Sequence, residues 1–441
     1  MKITSIQIIK TLRTNGFYAL WAGGCVRDML LGKKPKDFDI ATDAKPDQVE
    51  SLFENTKPVG KAFGVILVKS DGHEFEIASF RDESDYLDGR RPSKIEFASD
   101  YEDAIRRDFT INGMFYDPIE DQIIDHVGGQ KDLDLKLIKF IGSCEQRILE
   151  DHLRILRAVR FKNTLDFQYH PETYKALKKH AHLITKISNE RIQDELNKML
   201  RCKNRINAIN DLEDLGLLDL ILPEIQALKG VAQPHQYHKE GDVYSHTMLA
   251  LKKMPEGLPL SYYWAVLFHD SGKPETYSEN KERITFYNHA NVSAEIVNKR
   301  LNELKFSNNF IKHVEFLCKY HMNLFQILDM SYKNQVKWFL KPWFLDLLEI
   351  HKYDTLGTSP SDTSMYEKIK VLYHKTVSEL DSKLENGKLI KLASGKDIMQ
   401  ILNLKPSPKI AEILEELEDL QIENKITTRS KALEFIKNYK I

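Results

Sequence analysis

The stretch of sequence with the clearest chemical potential ends in two aspartates separated by one residue, Asp37 and Asp39. Residues i and i+2 of an extended strand point to the same face, so both carboxylates can reach one divalent cation. A pair of such cations can activate an attacking hydroxyl and stabilise a leaving phosphate. An isolated D-x-D is more often a solvated strand end, so this interpretation depends on the neighbouring residues.

A glycine pair, Gly23-Gly24, opens the same stretch and lets backbone N–H groups come close to a ligand. The helical spacing of Val26 with the apolar residues 29–31 predicts a helix after this turn, and the N-terminus of a helix attracts anions. The glycine turn and the aspartates together predict a site for a nucleoside triphosphate.

The apolar segments around this stretch predict the elements that position it. Residues 3–12 carry a helical apolar stripe, and residues 17–21 predict a strand that leads into the glycine turn. Residues 65–80 predict a hairpin, in which Glu74 and Glu76 share one face. Glu76 is therefore a candidate third carboxylate beside the metal pair, although a surface glutamate is about as common at such a position.

Two charged segments follow the hairpin. Residues 81–92 are too polar to be core, and they predict either a mobile loop that closes over a substrate or a plain solvated connection. Arg106 and Arg107 precede residues of strand-like alternation, and their guanidinium groups could bind a triphosphate. The alternative for the arginine pair is a salt-bridged helix end.

Length and composition limit the class of protein. A chain of 441 residues is too long for one ordinary core, so two to four domains are expected. A charged content of 29% and a hydrophobic content of 42% are typical of soluble globular proteins, and a net charge of -1 does not exclude a local basic patch. The four cysteines lack C-x-x-C spacing, so neither a zinc knuckle nor a disulfide framework is indicated. No window of about eighteen apolar residues is found that could span a bilayer. We therefore expect a cytoplasmic protein without a membrane partner.

Four ordered motifs in the first part of the chain are specific in combination. The motifs are Gly23-Gly24-x-Val26-Arg27-Asp28, Asp37-x-Asp39-x-x-Thr42, Asp88-Gly89-Arg90-Arg91-Pro92 and Arg106-Arg107-Asp108-Phe109-Thr110-Ile111-Asn112. In this combination the sequence resembles the class II tRNA nucleotidyltransferases, which build and repair the CCA end of tRNA, and the related bacterial poly(A) polymerases. The resemblance implies an α+β protein with a small mixed-sheet head of the DNA polymerase beta type.

The resemblance implies a role for the motifs of the head. Asp37 and Asp39 would hold two Mg²⁺ ions, so that the 3′-hydroxyl of tRNA attacks the α-phosphate of CTP or ATP in line. The tRNA would be bound through backbone charge and shape. Three residues would bind the triphosphate: Gly24, Arg27 and Arg107.

A further motif lies in the helical region that follows the head. Four charged residues recur at steps of three and predict one slowly winding stripe on a helix: Asp151, Arg154, Arg157 and Arg160. By resemblance the first two would read the edge of the incoming base, and the last two would reach phosphates. An exposed helix face with ion pairs is the alternative. Arg191 and Glu195, one turn apart further along, are expected to brace this helix.

Histidines become frequent in the second half of the chain. His246 lies in a predicted helix, the pair His269-Asp270 follows an apolar helix, and Asp354 lies in another helix. Nitrogen and oxygen ligands of this kind suit a borderline divalent metal. The pattern resembles the HD phosphohydrolase superfamily, which implies a divalent metal of unknown identity, with His289 and His321 as extra ligands or phosphate contacts. A decayed or purely structural helical domain is the alternative.

The combined pattern predicts four domains. They are a nucleotidyltransferase head at 1–138, an all-α neck and body at 139–228, an HD domain at 229–375 and a helical tail at 376–441.

The predicted activity is addition of CCA, or of its terminal part, to tRNA from CTP and ATP, with an additional HD phosphohydrolase activity. A poly(A) polymerase of the same fold is one alternative, although many such enzymes carry basic extensions and this chain is nearly neutral. Another alternative is an HD phosphohydrolase whose head only binds RNA. The intact aspartates and arginines of the head disfavour it.

Overall fold

The computed structural model describes residues 1–86, 92–234, 238–280 and 283–440. The chain forms two compact units, Met1–Gln226 with Glu303–Lys305 and Ala227–Asn302 with Phe306–Ile441. The first unit combines a sheet with helices and the second is mainly helical, so the predicted α+β class is confirmed. Residues 88–91 of the third head motif and His235 lie outside the described residues.

A mixed sheet forms the core of the head in the first unit. Its strands are β1 (Ala19–Ala22), β2 (Ile40–Thr42), β3 (Thr56–Gly60), β4 (Val65–Ser70), β5 (His73–Ser79), β8 (Phe115–Asp117) and β9 (Gln122–Ile124). Strands β6 (Arg81–Tyr86) and β7 (Pro92–Phe97) form a separate ribbon between β5 and β8 in the chain. The strand order is β3-β4-β5-β2-β1-β8-β9. Strands β2 and β5 run parallel, whereas the other neighbours are antiparallel.

Five helices accompany this sheet: α1 (Lys2–Thr14), α2 (Gly24–Leu30), α3 (Pro46–Leu52), α4 (Asp100–Ile105) and α5 (Gly129–Asp134). The apolar stripe of α1 is buried, because Ile8, Ile9 and Leu12 face the interior. The indole N–H of Trp21 on β1 donates to the hydroxyl of Ser5 at 3.1 Å, which fixes α1 against the sheet. The predicted helix at 3–12, the strand before the glycine turn and the hairpin at 65–80 are confirmed.

Two sequence-based expectations for the head are wrong. Residues 81–86, expected as part of a loop over 81–92, form strand β6, which pairs with the antiparallel strand β7 from Arg81 opposite Phe97 to Tyr86 opposite Pro92. The two strands form a separate two-stranded ribbon that does not belong to the main sheet. The segment after Arg107 is a 3₁₀ turn at Thr110–Asn112 and not a strand.

The rest of the first unit is helical apart from a short parallel pair, β10 (Leu137–Ile138) and β11 (Gln168–Tyr169). Its helices are α6 (Cys144–Glu150), α7 (Arg154–Leu165), α8 (Pro171–His180), α9 (Asn189–Arg201), α10 (Arg205–Asp214), α11 (Leu218–Ile221) and α12 (Pro223–Gln226). Helix α7 packs against α9 and α10 through its apolar face, which includes Ile155, Leu156 and Val159.

The second unit has two short hairpins, β12 (Tyr277–Glu279) with β13 (Ile284–Phe286) and β14 (Leu384–Glu385) with β15 (Lys388–Leu389). Its helices are α13 (Val243–Lys253), α14 (Leu260–Phe268), α15 (Lys273–Thr276), α16 (His289–Glu303), α17 (Asn308–Tyr320), α18 (Tyr332–Phe339), α19 (Phe344–Leu356), α20 (Ser364–Leu380), α21 (Gly395–Leu402), α22 (Pro408–Ile422) and α23 (Arg429–Lys437). Within the described ranges, no helix has both the length and the apolar character that crossing a membrane requires.

Candidate functional site

The aspartate pair lies directly before β2. Phe38 between the two aspartates is 6% exposed and packs into the core, so the flanking side chains face away from it. The backbone N–H of Ala22 donates to the carbonyl of Asp39 at 3.0 Å, which ties this segment to β1. Because β2 pairs in parallel with β5 and Ile40 lies opposite Ile77, Asp39 and Glu76 precede paired positions on neighbouring strands.

The electrostatics of this carboxylate cluster favour a cation. Burial, and then the negative charges of Asp37 and Glu76, raise the pKa of Asp39 to about 6, and Arg107 acts in the opposite direction. A carboxyl group with a raised pKa holds its charge more easily when a divalent cation binds beside it. Asp37 and Asp39 can therefore hold a metal ion, as the D-x-D spacing predicts.

Glu76 does not form a compact group of metal ligands with Asp37 and Asp39. Its side chain is exposed, and its effect on Asp39 is electrostatic. A compact group here means three potential ligand atoms that all lie within 4.8 Å of one another. Within the described ranges, such groups are found in the second unit alone. The role of Glu76 as a metal ligand stays a prediction.

The glycine turn beside these aspartates requires glycine at its first position. Gly23 has φ +69°, and a Cβ there would lie 2.9 Å from Nη1 of Arg107. Helix α2 begins at Gly24, and Arg27 in its first turns is buried. The turn thus brings a helix N-terminus and two guanidinium groups close together, which is an arrangement that binds anionic groups.

Both guanidinium groups are held in place by hydrogen bonds. Arg27 donates to the Asn112 side-chain oxygen at 2.6 Å and to Asp28 at 2.7 Å. Arg107 donates to Oδ2 of Asp103 from Nε at 3.1 Å and from Nη2 at 2.8 Å. Their orientation is therefore fixed without a ligand, which reduces the entropic cost of binding a triphosphate.

The four charged residues of the neck do not share one helix. Asp151 caps the end of α6, and α7 begins at Arg154, so the predicted continuous stripe is wrong. The backbone N–H of Leu153 donates to the Asp151 carboxylate at 3.1 Å, which stabilises the break between the helices. The break turns Asp151 and Arg154 into neighbours at a helix junction.

Asp151 and Arg154 have well-defined partners in the protein. Arg191 donates to both carboxylate oxygens of Asp151, at 3.0 and 2.8 Å. Arg154, which is 7% exposed, donates to the Glu150 carboxylate at 2.7 Å and to the carbonyl of Arg106 at 3.1 Å. The contact of Arg191 agrees with the bracing role expected for it.

Arg157 and Arg160, expected to reach phosphates, instead pair with carboxylates of the protein. Arg157 donates to Asp108 at 2.7 Å and Arg160 donates to Glu195 at 2.5 Å. Asp108 and Glu195 are buried, and a buried carboxylate needs a charged partner. Burial tends to raise the pKa of Asp108, but Arg157 and the Asn112 amide outweigh it and lower that pKa to about 2. Carboxylates of the protein thus hold both guanidinium groups, and their contact with phosphates stays a prediction.

The second unit brings the predicted HD residues together. His246 lies on α13, His269 and Asp270 follow α14, and Asp354 lies on α19. Nε2 of His246 is 2.9 Å from Oδ1 of Asp354, and Nε2 of His269 is 3.4 Å from the same oxygen. His269 is also 3.3 Å from Oδ2 of Asp270. These nitrogen and oxygen atoms match the donors expected for a borderline divalent metal.

Glu240, which the sequence did not point to, orients one of these histidines. Its carboxylate contacts Nδ1 of His246 at 3.2 Å and Nδ1 of His238 at 2.7 Å, and it accepts the backbone N–H of Ser359 at 2.8 Å. A carboxylate on Nδ1 leaves Nε2 of His246 as the ligand atom, as in many metal sites. No sequence spacing predicts this contact, because the segment before α13 must fold back onto the helix.

The electrostatics of the HD cluster also favour a cation. Burial tends to lower the pKa of His269, but the charges of Asp270 and Asp354 outweigh it and raise the pKa to about 10. The positive charge of His269 in turn holds the pKa values of Asp270 and Asp354 well below their usual range, although burial acts in the opposite direction. The cluster thus stabilises positive charge at the position where a metal would bind.

A cavity of about 650 Å³ opens onto these residues. Lys273 on its wall is buried, and its ammonium group donates to Oδ2 of Asp270 and to the side chain of Gln233, both at 2.7 Å. Phe286, Met322 and Phe325 line the apolar part of the cavity. The cavity combines candidate metal ligands, a cation and apolar walls, which suits a phosphate ester with an organic substituent.

Family models match three parts of the chain. Residues 19–139 match the model of a "Poly A polymerase head domain". Residues 166–229 match one described as an RNA and SrmB- binding site of polymerase A, and residues 277–436 match one described as tRNA nucleotidyltransferase domain 2.

The CCA-adding enzyme of Lactococcus lactis subsp. lactis (strain IL1403) is 32% identical over 437 residues, which are 97% of this chain and 94% of that enzyme. The chain belongs to the CCA-adding enzyme family. The CCA-adding enzyme of Bacillus pumilus (strain SAFR-032) is 46% identical over 209 residues, which are 46% of this chain and 52% of that enzyme. The predicted family resemblance is confirmed.

The structure of the Bacillus stearothermophilus CCA-adding enzyme in complex with CTP matches with a TM-score of 0.71 and 22% identity, covering 98% of this chain and 95% of that chain. At this identity the likeness shows the shared fold. The nucleotidyltransferase fold implies that members of the CCA-adding family use a divalent metal.

Several residues that support the site in this CCA-adding family member were missed from the sequence. Asp103, 1% exposed, accepts from Arg106 and Arg107, and its spacing of three and four residues before them on α4 could have indicated this. Asp108 accepts from the side chain of Asn112 at 3.1 Å, and that same side chain accepts from Arg27. Because Asp108 also accepts from Arg157, this chain of contacts links helix α2, which follows the glycine turn, to α7.

Proposed function

We propose that this chain adds CCA, or its terminal part, to the 3′ end of tRNA, using CTP and ATP without a nucleic-acid template. One observation carries the proposal: the Asp39 carboxylate, whose pKa is raised, lies beside the glycine turn at Gly23. Hydrogen bonds fix the guanidinium groups of Arg27 and Arg107 at the same turn. Transfer of a nucleotide needs both parts, a metal-binding carboxylate pair and a triphosphate-binding turn. A cytoplasmic location fits such a substrate.

The residues of the head divide the chemistry between them. Asp37 and Asp39 would hold Mg²⁺, which when bound lowers the pKa of a hydroxyl and neutralises the charge of a leaving pyrophosphate. Gly24, Arg27 and Arg107 bind the triphosphate and keep its α-phosphate in line with the attacking hydroxyl. Because Arg27 and Arg107 are already oriented by Asn112 and Asp103, they hold this position without rearranging.

The neck supplies the choice of nucleotide. Asp151 offers acceptor oxygens and Arg154 offers donors at one helix junction, and a base edge needs both kinds of partner. Arg191 holds Asp151 through two hydrogen bonds, so that its oxygens are fixed before a nucleotide enters. We assign base recognition to Asp151 and Arg154, and a supporting role to Arg157 and Arg160.

Extension of three tRNA substrates tests the proposal. We expect tRNA that lacks CCA to gain three nucleotides with CTP and ATP together, and tRNA that lacks only the terminal A to gain one nucleotide with ATP alone. Extension only of the latter substrate would restrict the activity to A addition. Long homopolymers from ATP on a primer other than tRNA would instead indicate a poly(A) polymerase.

A second candidate activity is metal-dependent hydrolysis of phosphomonoesters or cyclic phosphodiesters at the HD cluster. Four candidate ligands from three helical segments, a cavity of about 650 Å³ and the ammonium group of Lys273 favour it. Such an activity would remove phosphate from damaged or cyclised 3′ ends before extension. A 3′-hydroxyl is what nucleotidyl transfer requires.

The substitution His269→Ala is expected to lower hydrolysis of bis(p-nitrophenyl) phosphate in the presence of Mn²⁺ at least about tenfold, because one metal ligand is lost. His374→Ala, at an exposed position on α20, is the matched control and should leave hydrolysis unchanged. CCA addition should persist in both variants. Equal hydrolysis by His269→Ala and the parent protein would exclude this site as its source.

A further inference from the structure

Five aromatic rings of the second unit form a continuous row, which we call the aromatic face. Between ring centroids, Trp338 of α18 lies 5.3 Å from Tyr320 of α17, and Tyr320 lies 4.9 Å from Phe316 one turn earlier. Phe316 lies 5.4 Å from Trp343, which directly precedes α19, and Trp343 lies 5.0 Å from the ring of His313. Tilted and edge-to-face contacts of this kind are favourable, so the rings support one another.

The aromatic face is open to solvent. Trp343 is 36% exposed, and Tyr320 and Trp338 are half-buried. Contiguous exposed apolar groups that polar residues surround often mark a surface for a partner. The other two tryptophans of the chain, Trp21 and Trp264, are buried, so Trp338 and Trp343 are the tryptophans that a partner can reach.

Hydrogen bonds support one end of the aromatic face. Nε2 of His313 lies 2.8 Å from Oδ2 of Asp346, and the Tyr262 hydroxyl donates to Oδ1 of the same carboxylate at 2.6 Å. These two contacts fix the imidazole that packs against Trp343. Because the rings are held before a ligand arrives, stacking on them costs little conformational entropy.

Two lysine ammonium groups lie over the other end of the aromatic face. Nζ of Lys341 is 4.9 Å from the ring centroid of Trp338 and 5.8 Å from that of Tyr320. Nζ of Lys319 is 5.6 Å from the centroid of Tyr320. Within the described residues, neither ammonium group has a carboxylate partner, so both keep their charge for an anionic ligand.

The charges around the aromatic face favour a nucleic acid over a protein. Glu315, next to Phe316 on α17, accepts from the side chain of Asn298 at 2.9 Å, and Asp346 is engaged by its own two partners. Neither carboxylate neutralises the lysines. Lysine is depleted in protein–protein interfaces, whereas sites for single-stranded nucleic acids combine aromatic rings for the bases with cations for the phosphates.

We infer that the aromatic face binds an unpaired segment of RNA, with a base stacked on Trp343 and backbone phosphates near Lys319 and Lys341. The inference deepens the proposed function and rests on it for the identity of the RNA, which is the tRNA substrate. Loops and ends of RNA present unstacked bases to aromatic side chains. Stacking tolerates every base, so such a contact suits a protein that accepts many tRNAs.

The affinity of the full-length protein for tRNA tests the stacking contact. Fluorescence anisotropy of labelled tRNA that lacks CCA, without nucleotides, gives the Kd. Trp343→Ala should raise this Kd at least about fivefold, because one stacked base is lost. Trp343→Phe keeps an aromatic ring and should stay within about twofold of the wild type.

The salt dependence of the same Kd tests the lysines. The double variant Lys319→Gln/Lys341→Gln should reduce the slope of log Kd against log salt concentration by about one for each lysine. Lys252→Gln, at an exposed position on α13, is the matched control and should bind like the wild type. Thermal melting identifies a variant that fails to fold, and the lysine variant keeps the test valid if Trp343→Ala does not fold.

Tryptophan emission reports on the aromatic face directly, because Trp21 and Trp264 are buried. A short oligoadenylate should quench the emission of the wild-type protein, and Trp343→Phe should lose most of this quenching. A fully base-paired RNA of the same length should quench far less, because its bases are already stacked in the helix.

Three results would overturn the inference. Unchanged tRNA affinity in the folded Trp343→Ala and lysine variants would show that RNA does not occupy the aromatic face. Equal quenching by the base-paired RNA would exclude base stacking. Emission that changes with protein concentration but not with RNA would mean that a second copy of the chain covers the face. Because no nucleotide is incorporated in these measurements, a failure of CCA addition is distinguishable from a failure of this inference.

Discussion

The substitution Asp39→Asn is expected to lower nucleotidyl transfer at least about 10³-fold and, at the same time, to stabilise the metal-free protein. The loss of transfer follows because an amide binds Mg²⁺ far more weakly than a carboxylate, and the ions supply several kcal/mol of transition-state stabilisation. Single-turnover extension of tRNA that lacks the terminal A measures this loss.

The gain in stability follows from the raised pKa of Asp39. A rise from the model-peptide value of 3.8 to about 6 means that the folded protein disfavours the carboxylate. Folding therefore takes up a proton between these two values, and the destabilisation is fully present above pH 6 and absent below pH 4. Full desolvation would give about 3 kcal/mol for two pKa units, and the partial exposure of Asp39 reduces the expected gain to about 1–2 kcal/mol.

Urea unfolding in a chelator at pH 5 and pH 8 measures this gain. The stabilisation by Asp39→Asn should be larger at pH 8 than at pH 5, because the wild-type carboxylate is charged at the higher pH. Asp47→Asn on α3 is the matched control, because that side chain is 84% exposed and should change the free energy of unfolding by less than about 0.5 kcal/mol. Full transfer activity of Asp39→Asn would refute the metal role of this carboxylate, whatever its stability.

The titration of Asp39 should also appear in the pH dependence of nucleotide transfer by the wild-type enzyme. Mg²⁺ binding requires the deprotonated Asp39 carboxylate, so transfer at low Mg²⁺ should decline as the pH falls below about 6. High Mg²⁺ should shift this decline to lower pH, because metal and proton compete for one site. A site that loses stability in order to bind ions is what a functional carboxylate cluster is expected to show.

Local patterns in the sequence predicted most of the head. The D-x-D pair, the glycine turn and the hairpin at 65–80 each depend on residues that are close in the chain, and their geometry follows from strand and helix periodicity. The ribbon of β6 and β7 was missed because polar residues in a two-stranded ribbon carry no apolar alternation. The 3₁₀ turn at Thr110–Asn112 was missed because three residues are too short for a periodic signal.

Long-range pairing is the part of the neck and of the HD cluster that the sequence did not predict. The roles of Arg157 and Arg160 depend on Asp108 and Glu195, which lie 49 and 35 residues away in the chain. The carboxylate of Asp151, at the break between α6 and α7, accepts from Arg191 of α9, which lies 40 residues further along the chain. A single sequence does not carry this information, because a charged residue on a helix has the same local pattern whether its partner is water, phosphate or a buried carboxylate.

The second large effect is expected for Asp151→Ala, which should reduce the discrimination between CTP and ATP about 10- to 100-fold. A fixed acceptor that is matched to one base edge rejects the wrong base because its lone pairs remain unpaired, and removing the acceptor removes this penalty. The ratio of kcat/KM for CTP and ATP, measured on tRNA that lacks CCA and on tRNA that lacks only A, reports the change.

Two variants separate base recognition from loss of charge. Asp194→Ala on α9 removes an exposed carboxylate from the neighbouring helix and should leave the nucleotide ratio unchanged. Asp151→Asn keeps one acceptor and adds a donor, so it should change the preference between the bases more than it lowers total activity. Arg191 loses its bidentate partner in Asp151→Ala, and a melting temperature close to that of the wild type is needed to exclude a general effect.

The outcome for Asp151 decides where selectivity resides. If Asp151→Ala lowered incorporation of both nucleotides equally in a folded protein, the contact with Arg191 would be structural and base choice would have to come from other residues. If discrimination falls while incorporation persists, the helix junction between α6 and α7 acts in place of a template strand. The cause is physical: the junction fixes an acceptor and a donor on a rigid support, whereas Asp37 and Asp39, which we propose as metal ligands, contribute nothing that distinguishes C from A.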